Sequence, residues 1–154
     1  MIPTAENQYT VRDYQQLEEG APLQLINGKL IALGEPAPAY GHQAKLRDVL
    51  YQIFNYLKEN TLGETLCAPL DVYFDENNVL QPDIIYISKE NKHLIKENGV
   101  YGAPDMIIEF LSPSTAYYDN KIKKRIYEKY GVKEYWIIDP ADNEVTGFEN
   151  RDGK

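Results

Sequence analysis

Residues 104–139, PDMIIEFLSPSTAYYDNKIKKRIYEKYGVKEYWIID, constrain the fold more than any other stretch, because they read as strand, helix, strand. Ile122, Ile126, Tyr127 and Tyr130 share one face of the predicted helix over 118–130, and Gly131 stops it. A crossover of this length gives a right-handed parallel strand pair. The apolar run of the second strand, EYWIID, suits burial on both faces. Inside the first strand stands Glu109, among Met106, Ile107, Ile108, Phe110 and Leu111. A carboxylate desolvated by such neighbours is costly unless a cation or a metal accompanies it.

The chain before this unit supplies further elements. Thr10 can cap a short helix over residues 10–19, with Val11, Tyr14 and Leu17 at helical spacing and Gly20 and Pro22 as its end. Asn27-Gly28 between LQLI and KLIAL is a hairpin signal, since both residues tolerate positive φ. The prolines and glycines of 34–41, GEPAPAYG, predict a loop. Over 42–60, Leu46, Val49, Leu50, Ile53, Phe54 and Leu57 fall at steps of three and four, the stripe of a long amphipathic helix. Residues 64–74 and 79–87 are β-rich and flank the turn DENN, so they read as one hairpin. The polar stretch 88–103 suggests a short helix near 90–96, and a final strand begins at Val145. The chain stops soon after that strand, which leaves room for a longer polypeptide.

Composition bounds the class. A chain of 154 residues with 43% hydrophobic and 26% charged residues fits a single domain with a sizeable core. The expected division is an N-terminal helix and hairpin over 1–38, a core over 39–139 and the start of a strand extension over 140–154. Neither a long apolar run nor a basic, apolar leader is present, so no membrane partner is expected and the cytoplasm is the default compartment. Cys67 stands alone and reads as a small buried strand residue. The net charge of −8 argues against a nucleic-acid partner in general, but residues 119–133 carry six basic against two acidic side chains, a local +4 that leaves −12 elsewhere. Lys121, Lys124 and Arg125 are the candidate phosphate contacts on that segment.

A second acid, Asp83, lies in LQPDIIYI. If the strand after it pairs antiparallel with 105–111 so that Ile87 faces Asp105, Asp83 falls opposite Glu109, with Cβ atoms about 5 Å apart. Two carboxylates that close persist together only with a cation between them or a proton on one. With a backbone carbonyl, here that of Phe110, and waters, they suit magnesium or manganese. Lys123 follows Asp119 by four residues and precedes Tyr127 by four, so all three lie along one side of the helix, near the end of the Glu109 strand. Blander readings stay open: Glu109 and Lys123 as a structural ion pair, Asp119 and Lys123 as an exposed helix pair, Asp83 as a strand-entry residue after Pro82, and His42 as an ordinary helix-start residue.

The run PDMIIEFLSPST followed by Asp119, Lys123, Tyr127 and GVKEYWIIDP resembles the Uma-type branch of the PD-(D/E)XK restriction-endonuclease-like superfamily. The resemblance spans nearly the whole chain. It implies an α/β (α+β) fold whose core runs helix, three strands, helix, strand in a mixed sheet, and a metal-dependent nuclease site. Asp83 matches the metal-binding aspartate and Glu109 the following acid. The residue two beyond Glu109 is Leu111, and the lysine comes instead from the next helix as Lys123. A role is also implied for His42 and for a glutamate ahead of the Asn-Gly turn. That position here is Gln24, an uncharged and weaker ligand. The expectation is therefore an endonuclease acting on nucleic acid, DNA in preference, with a homodimer suited to double-strand cutting. The competing expectations are a catalytically silent interaction module on the same fold, and an acid/base enzyme acting on a neutral substrate such as a glycoside.

Overall fold

The structure, a computed structural model, describes residues 8–33 and 39–153. Its elements in order are α1 (Val11–Tyr14), β1 (Leu23–Ile26), β2 (Lys29–Ala32), α2 (Tyr40–Asn60), β3 (Gly63–Cys67), β4 (Val72–Asp75), β5 (Asn78–Leu80), β6 (Ile84–Ser88), β7 (Ile95–Lys96), β8 (Gly99–Tyr101), β9 (Met106–Phe110), α3 (Lys124–Tyr130), β10 (Glu134–Asp139) and β11 (Glu144–Glu149). A π-helical segment, Tyr118–Lys123, leads directly into α3. The strands form two sheets, ordered β2-β1-β5-β4-β8-β7 and β11-β10-β9-β6-β3. The second holds the expected core: α2, three antiparallel strands β3, β6 and β9, the crossover helix, and β10 parallel to β9.

Side-chain alternation divides this second sheet into two faces. On one, Ile84, Ile108 and Phe110 pack under Leu46, Val49, Leu50 and Ile53 of α2. On the other, Ile85, Ile87, Ile107, Tyr135 and Ile137 meet Ile126 and Tyr127 of α3 and, from the first sheet, Val72, Leu80 and Val100. Glu109 belongs to this second face by its place two residues after Ile107. Here an acid occupies a position that the pattern would fill with an aliphatic side chain.

Several elements match their sequence signals and several do not. The β1–β2 hairpin turns on Asn27 and Gly28, both at positive φ, with Ile26 opposite Lys29. The N-terminal helix is shorter than predicted and ends at Tyr14, although Thr10 does bond the Asp13 carboxylate at its start. The hairpin expected over 64–87 is broken on both arms. Its tip, β4 and β5, joins the first sheet, and its base, β3 and β6, joins the second. Pro69 and Pro82 stand at the two breaks, where residues without an N–H cannot extend a ladder. The helix predicted near 90–96 is a three-residue 3-10 turn, Lys92–Leu94, and the small hairpin β7–β8 follows it. Short strands of two and three residues carry too little periodicity to read. β10 is fully buried on one face only: Tyr135 and Ile137 are inside, while on the other face Trp136 is 37% exposed and Ile138 is partly covered beside α2. Cys67 is exposed at the end of edge strand β3 rather than buried. Of the predicted loop over 34–41, residues 34–38 lie outside the described residues, and Tyr40 and Gly41 already begin α2.

Gly99 opens β8, where the backbone passes close to Asp71. A Cβ on Gly99 would lie 2.5 Å from the Asp71 carbonyl oxygen, and its φ of +140° disfavours any side chain. Gly99→Ala is therefore expected to lower stability by about 1–3 kcal/mol, the usual cost of overpacking, read as a lower midpoint in urea with an unchanged slope.

Candidate active site

The register of β6 with β9 pairs Ile84 with Ile108, Ile85 with Ile107 and Tyr86 with Met106. Carried one residue further, it sets Asp83 opposite Glu109, as the sequence suggested. The Asp83 N–H points at Glu109 Oε2 across 3.4 Å, and the Asp83 carboxylate turns back to accept the Phe110 N–H at 2.7 Å. Asp83 thus bridges the two strands at the point where Pro82 ends the ladder.

The crossover helix closes over Glu109. Lys123 Nζ lies 3.0 Å from Glu109 Oε1 and 2.8 Å from Asp119 Oδ1, and the Tyr127 hydroxyl donates to Glu109 Oε1 at 2.7 Å. Glu109, Asp119 and Lys123 are 2%, 1% and 4% exposed, so this is a buried cluster and not the exposed helix pair that Asp119 and Lys123 alone would permit. The Tyr135 hydroxyl donates to the Asp119 carbonyl and anchors the π-helical segment on β10. Such irregular turns are frequent at functional sites, and the sequence carries no signal for this one. The partnership of Asp119, Lys123 and Tyr127 was visible in their spacing; that Asp119 is buried was not.

His42, in the first turn of α2, comes to the same place from the opposite face of the sheet. Its Nε2 is 3.2 Å from the Phe110 carbonyl oxygen, and its ring tilts against the Phe110 ring. Its Nδ1 is buried without a hydrogen-bond partner, as is Asp119 Oδ1 apart from its close approach to Lys123. Gln24 is buried in β1 and its Oε1 receives the Gln81 N–H at 3.4 Å, two residues ahead of Asp83. It therefore abuts the strand entry rather than the acid pair. Lys121 and Arg125 are exposed and Lys124 half-buried, with the Lys124 ammonium 3.8 Å above the Phe148 ring. Two other basic residues of 119–133 are spoken for: Lys123 is internal and Lys133 pairs with Asp105 at 2.6 Å.

Three carboxylates, Asp83, Glu109 and Asp119, thus surround one ammonium, an excess of two negative charges when all are ionised. Burial opposes the charge on Lys123, but Glu109 and Asp119 at contact distance outweigh it and hold its pKa above that of an ordinary lysine. Burial likewise pushes Glu109 up, to about 8, and the neighbouring Asp119 and Asp83 add to the effect against the pull of Lys123. Asp83 is raised too, chiefly by burial, against the Phe110 N–H and Lys123. The lysine keeps its proton, and the surplus negative charge is relieved by a proton on Glu109 or by another cation. Among the described residues no three His, Cys, Asp or Glu side chains group as metal ligands. The oxygens least engaged are Glu109 Oε2 and the second carboxylate oxygen of Asp83, a half-buried residue. Two large clefts, of about 660 and 520 Å³, flank α2 and contain neither acid.

The helix, three antiparallel strands, crossover helix and parallel strand are the core elements, in the expected order, of a restriction-endonuclease-like fold. Residues 11–154 match the model of the Uma2 family, described as "Putative restriction endonuclease", and the chain belongs to that family. A solved structure from Anabaena variabilis ATCC 29413, titled a "putative nuclease belonging to DUF820", superposes with a TM-score of 0.75 at 24% identity, over 92% of this chain and 80% of that one. That likeness establishes the fold. No curated protein matches the chain. No helix among the described residues is long and apolar enough to cross a membrane.

Two outcomes follow for the metal-free protein. Lys123→Met should cost about 3–5 kcal/mol in chemical denaturation, since it strands buried carboxylates without their cation. Glu109 binds its proton more tightly folded than unfolded, so its contribution to stability is complete below about pH 4.5 and is lost as pH rises towards about 8. Glu109→Gln keeps the uncharged form and should flatten the fall of the melting temperature between about pH 4.5 and 8.

Proposed function

We propose that this chain is a divalent-metal-dependent nuclease that hydrolyses nucleic-acid phosphodiester bonds, DNA in preference. The observation that carries the reading is the surplus of negative charge at Asp83 and Glu109, on the strand ends that Lys123 and His42 approach from opposite faces. The donor set fits magnesium or manganese: two carboxylates and a carbonyl oxygen are hard ligands, and magnesium commonly keeps several waters beside one or two carboxylates. Asp83, Glu109 and the Phe110 carbonyl would hold it. A bound ion of this kind supplies an ionised water at neutral pH and neutralises charge on the phosphoryl oxygen.

The chain's own groups have separable tasks. Lys123 keeps its proton, so it serves as a fixed positive charge for the attacked phosphate and orients the water instead of taking a proton from it. Asp119 and Tyr127 hold Lys123 and Glu109 in place through contacts of 2.8 and 2.7 Å. His42 fixes the Phe110 carbonyl from the α2 side. Lys121, Lys124 and Arg125 present positive charge on the same helix and would meet the phosphate backbone. Cutting both strands of a duplex would take two copies related by a two-fold axis. The silent-module reading draws support from the amide at Gln24, which brings no charge to its place beside Gln81.

Incubation of nucleic acid with magnesium or manganese separates the two. Wild-type protein is expected to nick the substrate, and Asp83→Ala and Glu109→Ala each to abolish cleavage. Manganese should also raise the wild-type melting temperature, by an amount that grows with its concentration as mass action requires, and leave both variants unmoved. Cleavage that survives both substitutions would remove these acids from the reaction.

A further inference from the structure

The aromatic side chains that are more than half exposed fall into two groups. Tyr51 and Phe54 line the cleft between α2 and β3, and Tyr56 lines the cleft on the other side of the same helix. Tyr117 and Tyr40 belong elsewhere. Tyr117, 60% exposed, immediately precedes the π-helical segment that carries Asp119 and Lys123. Tyr40, 82% exposed, begins α2 two residues before His42, whose ring meets the Phe110 carbonyl. Tyr117 thus opens the helix that carries Lys123 to Glu109, and Tyr40 the helix that carries His42 to the Phe110 carbonyl.

Tyr117 has two further properties. Its ring is braced edge-on by Tyr118 at 5.8 Å and 82°, and Tyr118 is itself packed against the core. The ammonium of Lys121 stands 5.6 Å from its centroid. A braced, exposed ring beside a cation offers apolar area to a flat partner and positive charge to an anion next to it. A nucleotide carries both, but in a duplex its base is stacked and hydrogen-bonded inside the helix. Only an unpaired base can lie on such a ring, and stacking of this kind tolerates any base because each has a π-face.

We propose that Tyr117, with Lys121 beside it, is a stacking platform for an unpaired base of the bound strand, so that single-stranded nucleic acid is the preferred substrate. The inference rests on the nuclease reading above and adds the form of strand that the site accepts.

The test is binding of a fluorescein-labelled oligothymidylate and of a blunt hairpin duplex, followed by anisotropy, with calcium replacing magnesium to hold the substrate uncut. Wild-type protein should prefer the single strand. Tyr117→Ala should weaken single-strand binding about tenfold, the effect of one lost stacking contact, and leave duplex binding and the melting temperature unchanged. Tyr117→Phe, which keeps the ring, should bind as wild type. Equal weakening on both probes, or none on the single strand, overturns the platform while leaving the nuclease reading intact. If wild-type protein binds neither probe, the nuclease reading fails and the platform with it.

Discussion

A single buried ammonium ties the crossover helix to the sheet. Lys123 is 4% exposed and sits between Glu109 of β9 and Asp119 one turn earlier on its own helix. Taking these charges out of water is expensive, and the arrangement holds because each has a partner at hydrogen-bond distance. The same contact fixes the approach of the π-helical segment, the burial of Tyr127 and the position of Tyr135 under the Asp119 carbonyl. Aliphatic side chains in these places would pack at least as well, so stability alone does not explain the acids.

The two buried acids of the 104–111 segment show how differently the same strand treats a carboxylate. Asp105 accepts from the Ser88 N–H, the Asn91 amide and Lys133, and these partners overcome its burial and hold it below the usual aspartate range. It is a fully satisfied latch between β6 and the start of β10. Glu109, near the other end, shares its one ammonium with Asp119 and has Asp83 for a neighbour, so burial prevails and its proton is held to about pH 8. A buried acid whose charge is only partly balanced at one end of a strand, four residues from one that is fully balanced, is where the domain keeps a surplus of negative charge.

The path of the chain supplies that neighbour. Because Pro82 interrupts the run between β5 and β6, the strand entering the second sheet begins with an N–H and a carboxylate not used in the ladder. Asp83 spends both on β9, its N–H towards Glu109 and its carboxylate on the Phe110 N–H. The same break sends β4 and β5 into the first sheet, which then covers the far side of the core with Val72, Leu80 and Val100. The corner that splits one long hairpin between two sheets is thus also the corner that builds half of the acid pair.

By itself the sequence determined the order of the large elements. The stripe of α2, the Asn27-Gly28 turn and the strand, helix, strand unit of 104–139 follow from local periodicity and turn chemistry, which depend on neighbours along the chain, whereas the register that opposes Asp83 to Glu109 was one pairing among those the sequence permits. The split of residues 64–87 between two sheets, the strands β7 and β8, the exposure of Cys67 and Trp136 and the π-helical turn were decided only in three dimensions. Spacing placed Asp119, Lys123 and Tyr127 on one side of a helix, but whether that side met water or Glu109 depended on where the crossover came to rest. Burial is a property of what the rest of the chain puts alongside a residue, and it is burial that turns an ordinary helix pair into a charged cluster with one proton to give up.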